Sequence, residues 1–221
     1  EVRDPFWKEA GRLLNAGVSR SLVLTGNIHD LFPNPSEGES DEAYLPLPDV
    51  LASVWSLPST CVILYQVSGP IRFANPADRQ AVNDAWVQRR SGMGTERLAV
   101  KRMLATTRSA RNALDELEDN FEETLVKAVG RPSVALALIQ QMCNLSREGY
   151  LDRQVIVIME HADMLVPAGG GGGHLSDADR FRIGSLLDWF TDPAFTRSKD
   201  AAVLISESRH LLHPKLARLP H

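Results

Sequence analysis

The stretch Gln154–Pro167, QVIVIMEHADMLVP, constrains the fold more than any other part of the chain. Val155 to Met159 are all apolar, and four of these five residues are β-branched. Such a run has no period-two solvent face, so it reads as a strand buried on both sides in the middle of a parallel sheet. The polar residues Glu160, His161 and Asp163 follow at once. Ligands in open α/β sheets sit at the carboxyl ends of such strands, so these three stand where a site would be. The plainer reading makes them the start of a surface loop.

Three further runs share this character: Ser21–Leu24 (SLVL), Thr60–Val67 (TCVILYQV) and Ala201–Ile205 (AAVLI). Leu22–Leu24, Cys61–Tyr65, Val155–Ile158 and Val203–Ile205 are therefore expected as parallel strands of one sheet with helices on both faces. Ile71–Phe73 reads as a short strand or edge extension. Helical patterns cover Asp4–Ala16, Leu47–Leu57 with Pro48 in its first turn, Pro132–Leu145 and Asp179–Phe190. From Asn75, a good cap before Pro76, to Gly130 the chain is almost entirely helical in pattern, a helical insertion of about 75–130. Strands alternating with helices predict an α/β fold, a doubly wound parallel sheet with right-handed crossovers, as a single domain over 1–221. Pro33–Glu42 and the Gly run Ala168–Gly173 read as exposed loops. The chain ends soon after a strand, so the expectation is a module truncated at its carboxyl end, and the start at Glu1 without a methionine suggests a trimmed chain.

No basic-then-apolar leader occurs, nor an apolar run near the roughly 18 residues of a membrane span. The expectation is a cytoplasmic protein that does not engage a membrane. Cys61 and Cys143 fall in strand-like and helical runs and read as buried thiols. The formal net charge of -4 argues against wholesale nucleic-acid binding. Charge is segregated nonetheless: Arg89–Arg111 holds seven bases and one acid, and Asp115–Glu123 holds six acids and no base. The bases could serve phosphate, making the chain a nucleic-acid adaptor through its Arg-rich helices. The adjacent acids instead favour internal pairing, antiparallel across the turn, or docking on a protein.

Three landmarks carry a family resemblance. VIVIME at Val155–Glu160 is similar to a Walker B strand, AVLISES at Ala202–Ser208 to a sensor 1 strand, and LHPKLAR at Leu212–Arg218 to the segment that follows sensor 1. FRIGSLLDWFTDP at Phe181–Pro193 resembles the intervening helix. Together they resemble the degenerate amino-terminal AAA-type ATPase module, P-loop NTPase-like in fold, of tandem bacterial and plastid proteins in which an intact ATPase module follows. The resemblance implies a vestigial catalytic base at Glu160 and an arginine finger at Arg218. It also places Thr25, Gly26 and Asn27 at the phosphate loop, where backbone amides at a helix start could hold a phosphate.

The departures from that pattern matter as much. A phosphate loop needs a Gly-rich turn, a Lys for the phosphates and a Ser or Thr for Mg²⁺. Thr25-Gly26-Asn27-Ile28-His29-Asp30 has one glycine and no lysine, and His29 is at best a partial substitute. Met159 stands where an Asp would hold Mg²⁺, and a thioether is a poor ligand for a hard cation. Glu207 stands where a polar sensor usually sits. His161 and Asp163 lack a third metal ligand, so no metal site is assigned. The leading expectation is a non-catalytic AAA-like module with no cofactor in this segment, ATP and Mg²⁺ belonging to the longer protein. It would act as a structural or regulatory domain for a downstream ATPase module or a protein partner, in an oligomer. The rival is an active or nucleotide-binding ATPase with an atypical phosphate loop and Glu160 as base.

Overall fold

The computed structural model describes residues 5–35, 43–169 and 174–218, with backbone alone described at 95–96, 98–99, 102, 109–111 and 113–119. The buried apolar runs form the strands. β1 (Ser21–Thr25) is followed by the short β2 (Leu31–Pro33) and β3 (Tyr44–Pro46), then β4 (Thr60–Gln66), β5 (Arg72–Phe73), β6 (Gln154–Glu160) and β7 (Ala201–Ser206). Five strands make one sheet in the order β1-β7-β6-β4-β5. β1, β7, β6 and β4 are mutually parallel, as expected, and β5 closes one edge antiparallel to β4. The run at 155–159 therefore lies in the centre, flanked by β4 and β7.

Helices cover both faces. α1 (Phe6–Asn15) and α2 (Leu47–Trp55) lie on one side. On the other are α3 (Pro76–Ser91), α5 (Arg108–Ala128), α6 (Pro132–Arg147) and α8 (Asp177–Thr191). α4 (Thr95–Leu104) links α3 to α5; the short helices are α7 (Ala162–Leu165), α9 (Pro193–Arg197) and α10 (Pro214–Ala217). Side chains alternate along each strand, so Val62, Ile156, Ile158 and Val203 pack with Leu14, Leu51 and Trp55 of the first layer. Ile63, Val157, Met159 and Leu204 pack with Trp86, Phe121, Ile139 and Leu186 of the second. The helical insertion thus feeds the main core through α3 and α5. Among the described residues no helix is long and apolar enough to cross a membrane.

Starts of elements follow local chemistry. Asn75 caps α3 by accepting from the Asp78 amide at 2.8 Å, with Pro76 in the first turn. Ser176 and Asp179 form a reciprocal capping box on α8. At the amino ends of the strands two buried carboxylates each hold a strand amide. Asp78 accepts from Val62 at 3.1 Å and pairs with Arg153 at 2.9 Å. Asp200 accepts from Val155 at 3.0 Å, with Arg147 3.8 Å away. Cys61 and Cys143 are buried free thiols, each pushed up in pKa by burial first.

Two expectations need correction. The loop assigned from Pro33 begins later, because Leu31–Pro33 pairs antiparallel with Tyr44–Pro46. Phe32 drives this by packing edge-on against Phe6 and Trp7 at 6.0 and 6.2 Å. Residues 36–42 and 170–173 of the two expected loops lie outside the described residues. For the two described acids, Glu122 and Glu123, the charge pairing also differs. Arg89 pairs at 2.8 Å with Glu148, the C-cap of α6, and Arg90 donates to Asn120 of α5. Glu122 is taken by Arg79 and Glu123 by Lys127, bases outside the expected stretch. α3 and α5 are in register through the Trp86–Phe121 contact at 5.6 Å, which decides which charges meet. The side chains of the acids at 115, 116, 118 and 119 lie outside the described residues.

Candidate functional site

The carboxyl edge of the sheet brings together residues that are far apart in sequence. Thr25 lies beside Ser206, and Glu160 beside Gln66, as the last paired residues of their strands. Glu160 and the β1 turn thus share one end of the sheet, as the resemblance implies. Met159 precedes Glu160 and faces the opposite way, fully buried in the core under α6 and α8.

The Glu160 side chain is only 13% exposed. Arg72 of β5 donates from Nη2 to Glu160 Oε1 at 2.6 Å and from Nη1 to Asp49 Oδ1 of α2 at 3.3 Å. Burial alone would lower the Arg72 pKa, but hydrogen bonds and charge from Glu160, then Asp49, hold it above its ordinary value. The guanidinium therefore ties β5, β6 and α2 together through two carboxylates.

His161 follows in a left-handed conformation, φ 48°, the one such non-glycine among the described residues. That backbone is uncommon outside Gly and costs energy that surrounding contacts must hold. Its ring stacks on His29 at 5.6 Å with an interplanar angle of 29°. His29 Nε2 in turn donates to Glu207 Oε1 at 2.7 Å. Asp163 accepts from the buried Ser206 hydroxyl at 3.2 Å. Among the described residues no cluster of three or more potential metal ligands is found.

The β1 turn departs from the expected helix start. After Thr25 the chain runs through Gly26, Asn27 and Ile28 into β2, with no helix between. Gly26 sits at φ 140°, in a region that favours glycine. Its amide donates to the Glu207 carbonyl at 3.2 Å, and the Ile28 amide to the Gly26 carbonyl at 2.9 Å. Two amides of the turn are thus engaged with backbone oxygens. Thr25, Gly26 and Asn27 line a groove of about 360 Å³ whose other walls include Phe6, Phe32 and Leu47. Arg218 is exposed at the end of α10, apart from these contacts.

Sequence reasoning placed Glu160, Glu207, His29 and the β1 turn together but missed Arg72 and Asp49 as partners of Glu160. Arg72 is 88 positions from Glu160, and nothing local in the sequence signals that pairing.

No curated protein and no solved structure matches the chain. A family model described as AAA+ chaperone, N-terminal Rossmann-like domain, matches residues 3–221. With a parallel sheet of this topology and the landmark strands β6 and β7 side by side in its centre, the chain belongs to the N-terminal Rossmann-like domain family of AAA+ chaperones.

Proposed function

We infer that this domain is a non-catalytic AAA module that acts structurally or in regulation, docked on an active ATPase module or another protein partner. The observation that carries the reading is the Arg72–Glu160 ion pair. A general base must reach the proton that it abstracts. Here the one carboxylate in the base position is held by a guanidinium.

The residues present do not fit Mg-ATP. A polyphosphate needs free amides at a helix amino terminus and a close cation. The turn after β1 opens no helix, and the Gly26 and Ile28 amides are bonded to carbonyls. The nearest cationic candidate, His29, faces Glu207, whose carboxylate has the wrong sign for a phosphate. Met159 is buried away from the site and offers no hard oxygen for Mg²⁺. Each departure weakens the same chemistry, and no step is derived through the nucleotide.

Isothermal titration of the 221-residue chain with Mg-ATP, paired with a phosphate-release assay, tests this. Neither tight binding nor turnover is expected. Turnover that disappears on Glu160→Gln would establish the enzymatic rival. Binding without turnover would instead make the domain a regulatory nucleotide site.

A further inference from the structure

The sheet is open at its β5 edge. The Ala74 amide donates to the Val62 carbonyl at 3.0 Å, and β5 continues that antiparallel pairing with Phe73 opposite Ile63. Main-chain groups point alternately to either side along a strand. Ala74 and Arg72 therefore face β4, while Phe73 and, by the same alternation, Ile71 face outwards. Among the described residues no loop, cap or side chain bonds to the main chain of these two. The backbone is still extended at Asn75, the cap of α3, with φ -147° and ψ 161°. The β1 edge differs. There the Ser19 hydroxyl donates to the Ser21 carbonyl at 2.6 Å and accepts from the Ser21 amide at 3.2 Å, so a side chain fills part of that edge.

Apolar residues of α5 wall the open edge. Ile71 and Phe73 belong to the same core layer as Leu125, and with Val126 and Val129 they line a groove of about 490 Å³. Val126 is 71% exposed, and Val129, just after the helix, is 44% exposed. The charges of the lining answer one another. Arg79 holds Glu122, and Arg72 is taken by Glu160 and Asp49. The groove thus offers unpaired main chain and apolar walls, with no charge left over.

We propose that this groove binds a short extended segment of a partner protein, which adds to β5 as a further strand and packs alternate apolar side chains on Val126 and Val129. Main-chain bonding selects the occupant, because an extended polypeptide presents donors and acceptors at the spacing of Ile71 and Phe73. The self-paired charges of the lining select uncharged side chains at the covered positions, since a charge buried there would find no partner. Area excludes a second folded copy. A strand alongside the extended run from Ile71 to Asn75 has about five residues, far less than the roughly 800 Å² per partner of a stable interface between folded proteins. A dissociation constant on the order of 10–100 μM is expected. The site uses main chain of β5 and side chains of α5, so it does not rest on the non-catalytic reading of Glu160.

A phage-displayed library of random heptapeptides, panned on the 221-residue chain, supplies the probe. The best clone is synthesised with a fluorescein label and titrated by fluorescence polarisation. The expected peptide alternates apolar residues, binds in the stated range and slows hydrogen exchange at the Phe73 amide. Val126→Asp and Val129→Asp, both at exposed positions, are each expected to weaken it at least about tenfold. Val126→Ser and Val129→Ser replace them if circular dichroism shows altered folding. N-methylation along the peptide adds a test that leaves the protein untouched. Blocking the alternate amides that face β5 is expected to abolish binding, and blocking those between them to spare it. Equal loss at every amide, or loss at none, overturns strand addition. So does a panning that yields no peptide binding more tightly than about 1 mM, unchanged exchange at the Phe73 amide, or binding that survives both α5-side variants.

Discussion

Arg72 and Glu160 meet at 2.6 Å across two strands of one sheet, and Arg72 also reaches Asp49 at 3.3 Å. The pair lies at the carboxyl end of the central strand, where the fold usually presents its ligand. Glu160 is mostly shielded from water, and that guanidinium is its charged partner. Arg72→Ala is expected to destabilise the chain by about 1–3 kcal/mol, the cost of a largely buried charged group losing its partner. Adding Glu160→Gln should recover part of the loss, because a neutral amide no longer needs the cation. Urea unfolding of the two single variants and the double variant measures this. A double variant as unstable as the sum of the singles would show that the two side chains act independently.

Met159 offers a second test, of whether the strand that resembles Walker B can serve metal chemistry. Its side chain is fully buried against the α6–α8 layer, so an Asp there would enter the core and not the site. Met159→Asp is expected to destabilise by about 3–5 kcal/mol, as a buried charge without a partner does, and to confer no Mg²⁺ dependence. Met159→Leu, nearly volume-conserving, should cost less than about 1.5 kcal/mol. Thermal unfolding with and without Mg²⁺ separates these outcomes. Stabilisation of the Asp variant by Mg²⁺ would mean that position 159 can still turn to the site.

These two positions also mark how much was legible beforehand. The four parallel strands were readable because each is a continuous apolar run, and burial on both faces leaves no other use for Val155–Met159. The landmarks in β6 and β7 were readable for the same reason, since strand and following polar residues stay together in sequence. Partners were not. Arg72 sits in a two-residue edge strand, and only the pairing of β5 with β4 carries it to Glu160. The β2–β3 hairpin was missed because each strand has three residues and contains Pro, so its stability comes from Phe32 meeting Phe6 and Trp7. The partners of Glu122 and Glu123 were not legible either, since the rotation and register of two packed helices follow the Trp86–Phe121 contact and not the charges.

Asp200 sets a pH dependence at the opposite end of the sheet. Burial raises its pKa above the ordinary 3.8, although the Val155 amide and Arg147 pull it down. The folded state therefore binds this proton more readily than the unfolded chain. Its contribution is fully present below pH 3.8 and is lost as pH rises through the higher folded value. Relative to Asp200→Asn, which keeps an oxygen for the Val155 amide, the parent chain should gain stability as pH falls from neutral towards the ordinary Asp range. Paired chemical denaturation of the two proteins across that window checks the sign. A parent that loses ground to the Asn variant on acidification would show a carboxylate stabilised by Arg147 more than it is penalised by burial.

The last prediction concerns the proposed lack of a phosphate site at the β1 turn, and whether charge or backbone would account for it. If charge alone were responsible, His29→Lys with Glu207→Asn would remove the carboxylate and supply the missing cation. The geometry argues otherwise. A phosphate loop works because several amides converge at a helix amino terminus, with the helix dipole behind them. After Thr25 this chain enters β2 with no helix, and its Gly26 and Ile28 amides already donate to carbonyls at 3.2 and 2.9 Å. One of those carbonyls belongs to Glu207 itself, and it persists whatever side chain stands at 207. A lysine would add one exposed charge, which screened by water is worth only about 0–1 kcal/mol. The double variant is therefore expected to bind Mg-ATP no more tightly than about 1 mM by isothermal titration. A dissociation constant below about 10 μM would show that the turn rearranges around the nucleotide and that charge alone had kept it out.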